Sequence, residues 1–174
     1  MTQLYTTTIS SPVGDLVLLG HDDHLTGLHM MAAAQKPVPE WAEARHDPHA
    51  LASVSEQLAQ YFAGERRTFD LPLAPRGTPF QMSVWSALGT IGYGQTRTYG
   101  QVAAQVGNPK ASRAVGMANN RNPIAIIVPC HRVIGATGNL TGYGGGLDNK
   151  KLLLDLEAAN EKIPDPTAMP DRQP

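Results

Sequence analysis

The only cysteine of the chain, Cys130, lies in the segment IAIIVPCHRVIG (124–135), between Pro129 and His131. A thiolate is a strong nucleophile, and a nearby imidazole is a base that can accept its proton. A lone cysteine after an apolar run is more typical of a packed, unreactive core residue. Because neighbouring side chains of an extended segment point to opposite sides, we expect no direct contact between Cys130 and His131. From this segment alone, a reactive and a structural thiol both remain open.

The composition limits the classes of protein to consider. With 174 residues, of which 41% are hydrophobic, the chain can bury the core of one domain or of two small ones. One cysteine excludes an internal disulfide and a cysteine-rich zinc site, and it suits a reducing compartment. We expect no metal and no cofactor. No apolar stretch approaches the roughly 20 residues of a membrane span, so we expect a cytoplasmic protein without membrane contact.

Charge is distributed unevenly along the chain, although the net charge is only −1. Residues 1–75 hold four Lys/Arg and nine Asp/Glu, whereas residues 76–160 hold eight Lys/Arg and three Asp/Glu. No acidic residue occurs between Asp70 and Asp148. A long cationic segment of this kind favours a module that faces a polyanion, and we expect nucleic acid as that partner.

The acidic half predicts a small sheet and one helix. Asp47 and Pro48 have the residue types of an N-cap and a first helical residue, and they predict an amphipathic helix that ends at Gly64. The histidines of this half form no recognisable ligand pattern. Three runs separated by turn residues predict a three-stranded antiparallel sheet: LYTTTI (4–9), LVLLG (16–20) and LTGLHMM (25–31).

The basic half is predicted to be mostly helical. TPFQ at 78–81 is a capping box that opens one helix, and Thr98 can cap a second, shorter helix. A third helix follows Asn108-Pro109, in KASRAVGMANN, and forms a helix-turn-helix with the second. Its small residues would let its backbone approach a narrow groove. LDNKKLLLDLEAAN (147–160) predicts an amphipathic helix, and the Pro-rich segment 161–174 predicts a disordered tail.

Several of these segments resemble the O6-alkylguanine-DNA alkyltransferase family: GTPFQMSVWSAL, TYGQVAAQVGNPKASRAVG, NPIAI, IVPCHRVIG and LTGYGGG. The resemblance covers most of the chain, and Pro-Cys-His-Arg is its most specific motif. It implies an α+β fold with a ribonuclease H-like α/β domain at 1–75, a helical DNA-binding and alkyl-acceptor domain at 76–160, and a tail at 161–174. It also implies direct DNA repair, in which Cys130 irreversibly takes the alkyl group from O6 of guanine in a single turnover.

The resemblance further implies roles for the residues around the thiol. In the family, a water links the histidine at the His131 position to the cysteine, a glutamate at the Glu157 position orients the imidazole, and Asn122 matches a hinge asparagine. Little of a thiol with a pKa near 8.5 is ionised at pH 7, so we expect the site to supply a base or a positive field. From the residues alone, Glu157 could be an exposed helical glutamate and Asn122 a turn residue. Arg132 fits a structural role as well as a DNA contact.

Five positions match family residues that bind the guanine. Tyr99 matches a tyrosine that crowds the phosphate and donates to guanine N3. Val133 matches a residue that contacts the base through its backbone carbonyl. Tyr143 and Gly144 match the loop that closes over the base, where glycine N–H groups can come close to O6. Lys150 matches a lysine near the site, although a solvated lysine at the start of a helix remains an alternative.

The implied partner is double-stranded DNA that carries O6-alkylguanine, bound by a monomer. Arg113 matches the arginine that fills the base stack when the nucleotide rotates out, and a phosphate contact is the alternative. Lys110, Ala114 and Arg121 complete the predicted DNA-binding residues. The sequence leaves open whether binding to DNA is cooperative and whether O4-alkylthymine is a substrate.

Two other functional classes remain for comparison. A non-catalytic sensor of alkylated DNA would bind lesions without removing them, but such relatives replace the cysteine and usually lack the N-terminal domain. A cysteine hydrolase could use Cys130, His131 and Glu157, but such enzymes normally take Cys and His from distant segments. Two departures from some family members leave the tolerated alkyl size open, since Ala125 replaces a proline and Gly144 replaces a serine.

Overall fold

The structure is a computed structural model and describes residues 3–31 and 39–161. Its N-terminal part contains a sheet of four strands: β1 (Tyr5–Ile9), β2 (Leu16–His21), β3 (His24–Met30) and β4 (Arg45–His46). The strand order is β3-β2-β1-β4, in which β2 pairs antiparallel with both β1 and β3. The α+β class and the first three predicted strands are confirmed.

The prediction of three strands is wrong by one. The fourth strand, β4, pairs parallel with β1 and has only two residues. It is held at the edge of the sheet by hydrogen bonds from the backbone N–H groups of Arg45 and Asp47 to the carbonyls of Leu4 and Thr6. Before it, α1 (Glu40–Glu43) is a single helical turn. Two residues are too few for an alternation of apolar and polar side chains, so the sequence carries no signal for this strand.

One helix packs against this sheet. It is α2 (Ala52–Phe62), and it buries Val54, Leu58 and Tyr61. The prediction that Asp47 and Pro48 open this helix is wrong, because the carboxylate of Asp47 accepts a hydrogen bond from the backbone N–H of His49 in a turn before it. Its buried apolar residues join those of the C-terminal half in one hydrophobic core.

The C-terminal part is mostly helical, as predicted. The predicted capping box of Thr78 and Gln81 opens the first helix, and the predicted cap Thr98 opens the second, where it forms a further capping box with Gln101. The second and third helices pack together as the predicted helix-turn-helix. No helix within the described residues is long and apolar enough to cross a membrane. The four helices are α3 (Pro79–Leu88), α4 (Tyr99–Gln105), α5 (Ser112–Asn120) and α6 (Leu147–Asn160).

The segment around the cysteine is a 3₁₀ turn, Cys130–Arg132, and not the extended segment that we expected. It is followed by β6 (Val133–Ile134), which pairs parallel with β5 (Arg97–Thr98) just before α4. The N-terminal sheet also reaches this region, because Leu28 of β3 exchanges backbone hydrogen bonds with residues 123 and 125. The sheet and the cysteine segment are therefore joined directly through the backbone.

Candidate active site

Cys130 lies at the start of the 3₁₀ turn, with only 4% of its surface exposed. Its backbone is fixed on both sides. The N–H of Cys130 donates to the carbonyl of Val128 at 2.8 Å, and the side-chain amide of Asn119 donates to the Cys130 carbonyl at 3.2 Å. Asn119 is itself buried at the end of α5. The thiol is thus held between the helix-turn-helix and the core, where a rigid support can orient it.

Glu157, on the inward face of α6, is fully buried and accepts five hydrogen bonds. Oε1 accepts from the Tyr61 hydroxyl at 2.7 Å, from His131 Nε2 at 2.8 Å and from Arg132 Nη2 at 2.8 Å. Oε2 accepts from Arg132 Nε at 2.9 Å and from the backbone N–H of Gly94 at 3.2 Å. Burial alone would raise the pKa of Glu157, but His131 and Arg132 outweigh it and hold the pKa well below its ordinary value. The carboxylate is therefore ionised.

His131 follows Cys130 in the 3₁₀ turn and is hydrogen-bonded to Glu157. Its ring is fully buried, and Nε2 donates to Glu157, which leaves Nδ1 as the proton-accepting nitrogen of a neutral imidazole. Nδ1 is buried and has no hydrogen-bond partner among residues 3–31 and 39–161. Burial lowers the pKa of His131, and Glu157 acts in the opposite direction. The ring is therefore neutral before the reaction, and the Glu157 carboxylate can stabilise the charge it gains when it accepts a proton, as a general base requires.

The polar groups beside the thiol favour its ionised form against the effect of burial. Burial raises the pKa of the Cys130 thiol, whereas Asn122, Tyr143 and the positive charge of Lys150 lower it. The buried hydroxyl of Tyr143 has no hydrogen-bond partner within the described residues. Lys150 therefore supplies a positive field at the thiol, but burial outweighs it, and the pKa of Cys130 lies above its ordinary value.

Lys150 is fully buried, so the alternative of a solvated lysine is wrong. Its ammonium group donates to the carbonyl of Val133 at 2.6 Å and to that of Thr141 at 3.1 Å. It also lies 5.9 Å from the ring centroids of both Tyr99 and Tyr143. The hydroxyl of Tyr99 donates to the same Thr141 carbonyl at 3.2 Å. One buried cation therefore brings together four of the predicted guanine-binding positions, including Lys150 itself.

Asn122 lies between α5 and the cysteine segment. Its amide nitrogen donates to the carbonyl of Val128 at 2.7 Å, and its amide oxygen accepts from the backbone N–H of Ile124 at 3.1 Å. Two hydrogen bonds on opposite ends of one amide fix the course of residues 124–128 before Cys130. This geometry suits the hinge position that the resemblance implied better than a simple turn residue.

A small cavity of about 30 Å³ adjoins Cys130. Strand β3 forms one wall through Leu28, His29 and Met30, which the sequence did not connect with the site. A Cβ atom placed on Gly145 would lie 2.3 Å from the sulfur of Met30, so a larger residue there would require the Met30 side chain to move. A cavity of this size holds about two waters and is far smaller than a purine.

The predicted DNA-binding residues lie on the surface. Arg113 and Ala114 are exposed in the first turn of α5, Lys110 is exposed just before it, and Arg121 is exposed at its end. Arg132, in contrast, is buried and donates to Glu157 and to the carbonyl of Ile91, so its role is structural. Cationic side chains are thus available to a phosphate backbone on both ends of α5.

Three contributors to the site were not predicted: Tyr61, Asn119 and the β3 wall. None has a local sequence signal, because each acts through a contact between residues that are distant in the chain. Among the described residues, no group of three or more His, Cys, Asp or Glu side chains could hold a metal ion.

Two family descriptions match this chain. Residues 4–75 match the ribonuclease-like domain of 6-O-methylguanine DNA methyltransferase, and residues 79–159 match the DNA-binding domain of the same family. The methylated-DNA–protein-cysteine methyltransferase of Methanosarcina acetivorans is 54% identical over 158 residues, which cover 90% of this chain and 99% of the relative. The chain belongs to the 6-O-methylguanine DNA methyltransferase family.

Solved structures of family members have the same fold. The crystal structure of Mycobacterium tuberculosis O6-methylguanine methyltransferase is 53% identical and covers 91% of this chain and 94% of its own, with a TM-score of 0.85. That of Mycobacterium tuberculosis OGT in complex with DNA is 52% identical and covers 90% and 94%, with a TM-score of 0.83. The mixed α/β architecture predicted from the sequence is that of this family.

We predict that Glu157→Gln destabilises the protein at pH 7 by about 3–5 kcal/mol, because it removes the anion from a buried ionic network. Since the folded-state pKa of Glu157 is depressed, its stabilising contribution is complete above the ordinary pKa near 4.3 and is lost as the pH falls below it. The difference between wild type and variant should therefore shrink below about pH 4 in urea denaturation.

The matched control is Glu56→Gln, which changes an exposed glutamate on α2 and should alter stability by less than about 0.5 kcal/mol. Equal stabilities of the two variants at pH 7 would contradict the importance of the buried carboxylate.

Proposed function

We propose that this protein repairs DNA by transferring the alkyl group from O6 of guanine to the sulfur of Cys130. The observation that carries the proposal is that His131, the residue after the sole cysteine, has a buried imidazole whose Nε2 is bound to the buried carboxylate of Glu157. The family's proteins named methylated-DNA–protein-cysteine methyltransferases support the same reaction.

The chemistry is a displacement at the alkyl carbon. The thiol proton passes to Nδ1 of His131, directly or through one water, and the sulfur forms a bond to the alkyl carbon as the bond from that carbon to O6 breaks. The guanine leaves as an anion and takes up a proton, so the thiol proton is balanced by the proton that guanine gains. Glu157 stabilises the imidazolium that forms in between, and it supplies no proton itself.

The leaving guanine is bound by residues around Lys150. In this proposal the Tyr99 hydroxyl donates to guanine N3, the Val133 carbonyl contacts the base, and the loop of Tyr143 and Gly144 closes over it. Donors that face the developing negative charge lower the barrier, since they are oriented before the reaction starts. The Lys150 ammonium adds a fixed positive charge close to both the thiol and the base.

The base must leave the duplex to reach this site, at a cost of a few kcal/mol. In this proposal α5 approaches the DNA with its small residues, such as Ala114, and the side chain of Arg113 fills the space left in the stack. Lys110 and Arg121 contact phosphates and carry no sequence preference, because the lesion occurs in any sequence.

The proposal includes the organisation of the chain. We place a domain at 1–75 and a second one at 76–160; the predicted tail at 161–174 lies outside the described residues except for Glu161. The protein acts as a monomer in the cytoplasm on duplex DNA that carries O6-alkylguanine. Neither a metal nor a cofactor enters the reaction, since the thiol is itself the acceptor.

The proposed reaction predicts a fixed stoichiometry. A thioether has no carbonyl for water to attack, and the chain has no second thiol to take the group onward. With excess duplex O6-methylguanine DNA, demethylation should stop at about one equivalent of protein. Intact-protein and peptide mass spectrometry should find one hydrogen replaced by one methyl group, at Cys130.

The control is Cys130→Ser, which should bind the duplex as tightly as the wild type and transfer nothing. Product formation well beyond one equivalent without a gain in mass would contradict the proposal. Tight binding by the wild type without any transfer would instead identify a sensor.

A second prediction concerns Arg113. Arg113→Ala should slow transfer from duplex DNA by about tenfold or more, and leave transfer from a single-stranded oligonucleotide nearly unchanged, because only the duplex has a stack to keep open. Single-turnover kinetics on the two substrates measure this ratio.

The matched control is Lys110→Ala, which removes an exposed cation just before α5 and should weaken binding to both substrates in a salt-dependent way. Equal losses on duplex and single strand for Arg113→Ala would exclude the role in base flipping.

A further inference from the structure

Tyr61 connects the N-terminal half of the molecule to the chemistry at Cys130. It lies near the end of α2, and its side chain is fully buried. Its hydroxyl donates to Oε1 of Glu157 at 2.7 Å, across 96 positions of the sequence. A hydrogen bond between a hydroxyl and a buried carboxylate is charge-assisted, and it belongs to the stronger class of hydrogen bonds in proteins.

The oxygen that Tyr61 contacts is the one that binds the base of the reaction. Oε1 also accepts from Nε2 of His131 at 2.8 Å, whereas the donors to Oε2 within the described part of the chain are Arg132 and the backbone of Gly94. The bidentate contact with Arg132 already holds the carboxylate in place. The hydroxyl is therefore not needed to orient Glu157, and its main effect is to take up part of the negative charge that faces the imidazole.

Tyr61 stays a donor throughout the reaction. Burial raises the pKa of Tyr61 far above its ordinary value, and the charge of Glu157 raises it further. The phenol therefore keeps its proton. Three charged groups act on His131: Glu157 and Lys150 of α6, and Arg132 of the 3₁₀ turn. Glu157 raises the pKa of His131, whereas the two cations lower it.

We propose that Tyr61 is a positioning residue for alkyl transfer. Its hydroxyl limits the share of the Glu157 charge that reaches His131. The imidazole therefore stays unprotonated in mildly acidic conditions and can accept the thiol proton. This inference rests on the proposed function of Cys130. It gives the N-terminal part a direct effect on the reaction, beyond its contribution to the core.

The test is Tyr61→Phe, which removes one oxygen and keeps the packed ring. With the hydroxyl gone, His131 faces more of the carboxylate charge, so its pKa should rise by roughly half a unit or more. The acid limb of the pH–rate profile for methyl transfer should move to higher pH by the same amount. The transfer rate on the high-pH plateau should stay within about twofold of wild type, because the nucleophile is unchanged and a shift of about half a unit in the pKa of the base changes a general-base rate only slightly.

Tyr93→Phe is the matched control. Its ring packs edge-to-face on Tyr61 with 6.0 Å between the centroids, but its hydroxyl is not among the donors to Glu157. This variant should leave the acid limb where it is. An unshifted acid limb in Tyr61→Phe, or an equal shift in both variants, would overturn the inference, as would a lower plateau without a shift.

A second measurement separates this inference from the proposed function. The ring carbons of 13C-labelled histidine can be titrated by NMR, with the His131 signal assigned by its absence in His131→Asn. A higher midpoint for His131 in Tyr61→Phe than in wild type supports the inference even if no alkyl transfer occurs. An identical midpoint in the two proteins overturns it, whether or not the protein transfers methyl groups.

Discussion

The buried carboxylate of Glu157 is the interaction on which the rest of this structure depends. An ionised carboxylate is costly to remove from water, and the cost is acceptable only when every lone pair is matched by a donor. Here the donors come from α2, from the backbone before β5 and from the turn that carries the cysteine. Satisfying one charge therefore fixes three separate parts of the chain against α6.

The same requirement shapes the reactivity of the thiol. Because Nε2 of His131 donates its hydrogen bond to Glu157, Nδ1 is the ring nitrogen that can take a proton. Nδ1 is buried in the 3₁₀ turn that carries Cys130. Arg132 is paired with the carboxylate, and Lys150, the other buried Lys or Arg among the described residues, favours a thiolate at Cys130. The fold thus places a base and a positive charge at a position where burial opposes ionisation.

The sequence predicts those parts of the molecule that depend on local pattern. The capping box at Thr78 and the cap at Thr98 follow from residues within one turn of each other, and the predicted bounds of α6 are confirmed. Local sequence pattern does not decide whether Lys150 and Glu157 are buried or exposed. A lysine and a glutamate on a helix are ordinarily solvated, and here they face inward only because β6, the Thr141 carbonyl and α2 supply their partners. Contacts of that kind have no periodicity that a sequence pattern could reveal.

The link between Glu157 and the ionisation of Cys130 can be measured directly, since the chain has a single cysteine. The 13C shift of its Cβ, in protein labelled at cysteine, reports the thiolate fraction as the pH is raised. It should be recorded for wild type and for Glu157→Gln at a temperature where both are folded. The account predicts that thiolate appears at a higher pH in Glu157→Gln, because the imidazolium that accompanies it has lost its anion. The same midpoint in both folded proteins would contradict it.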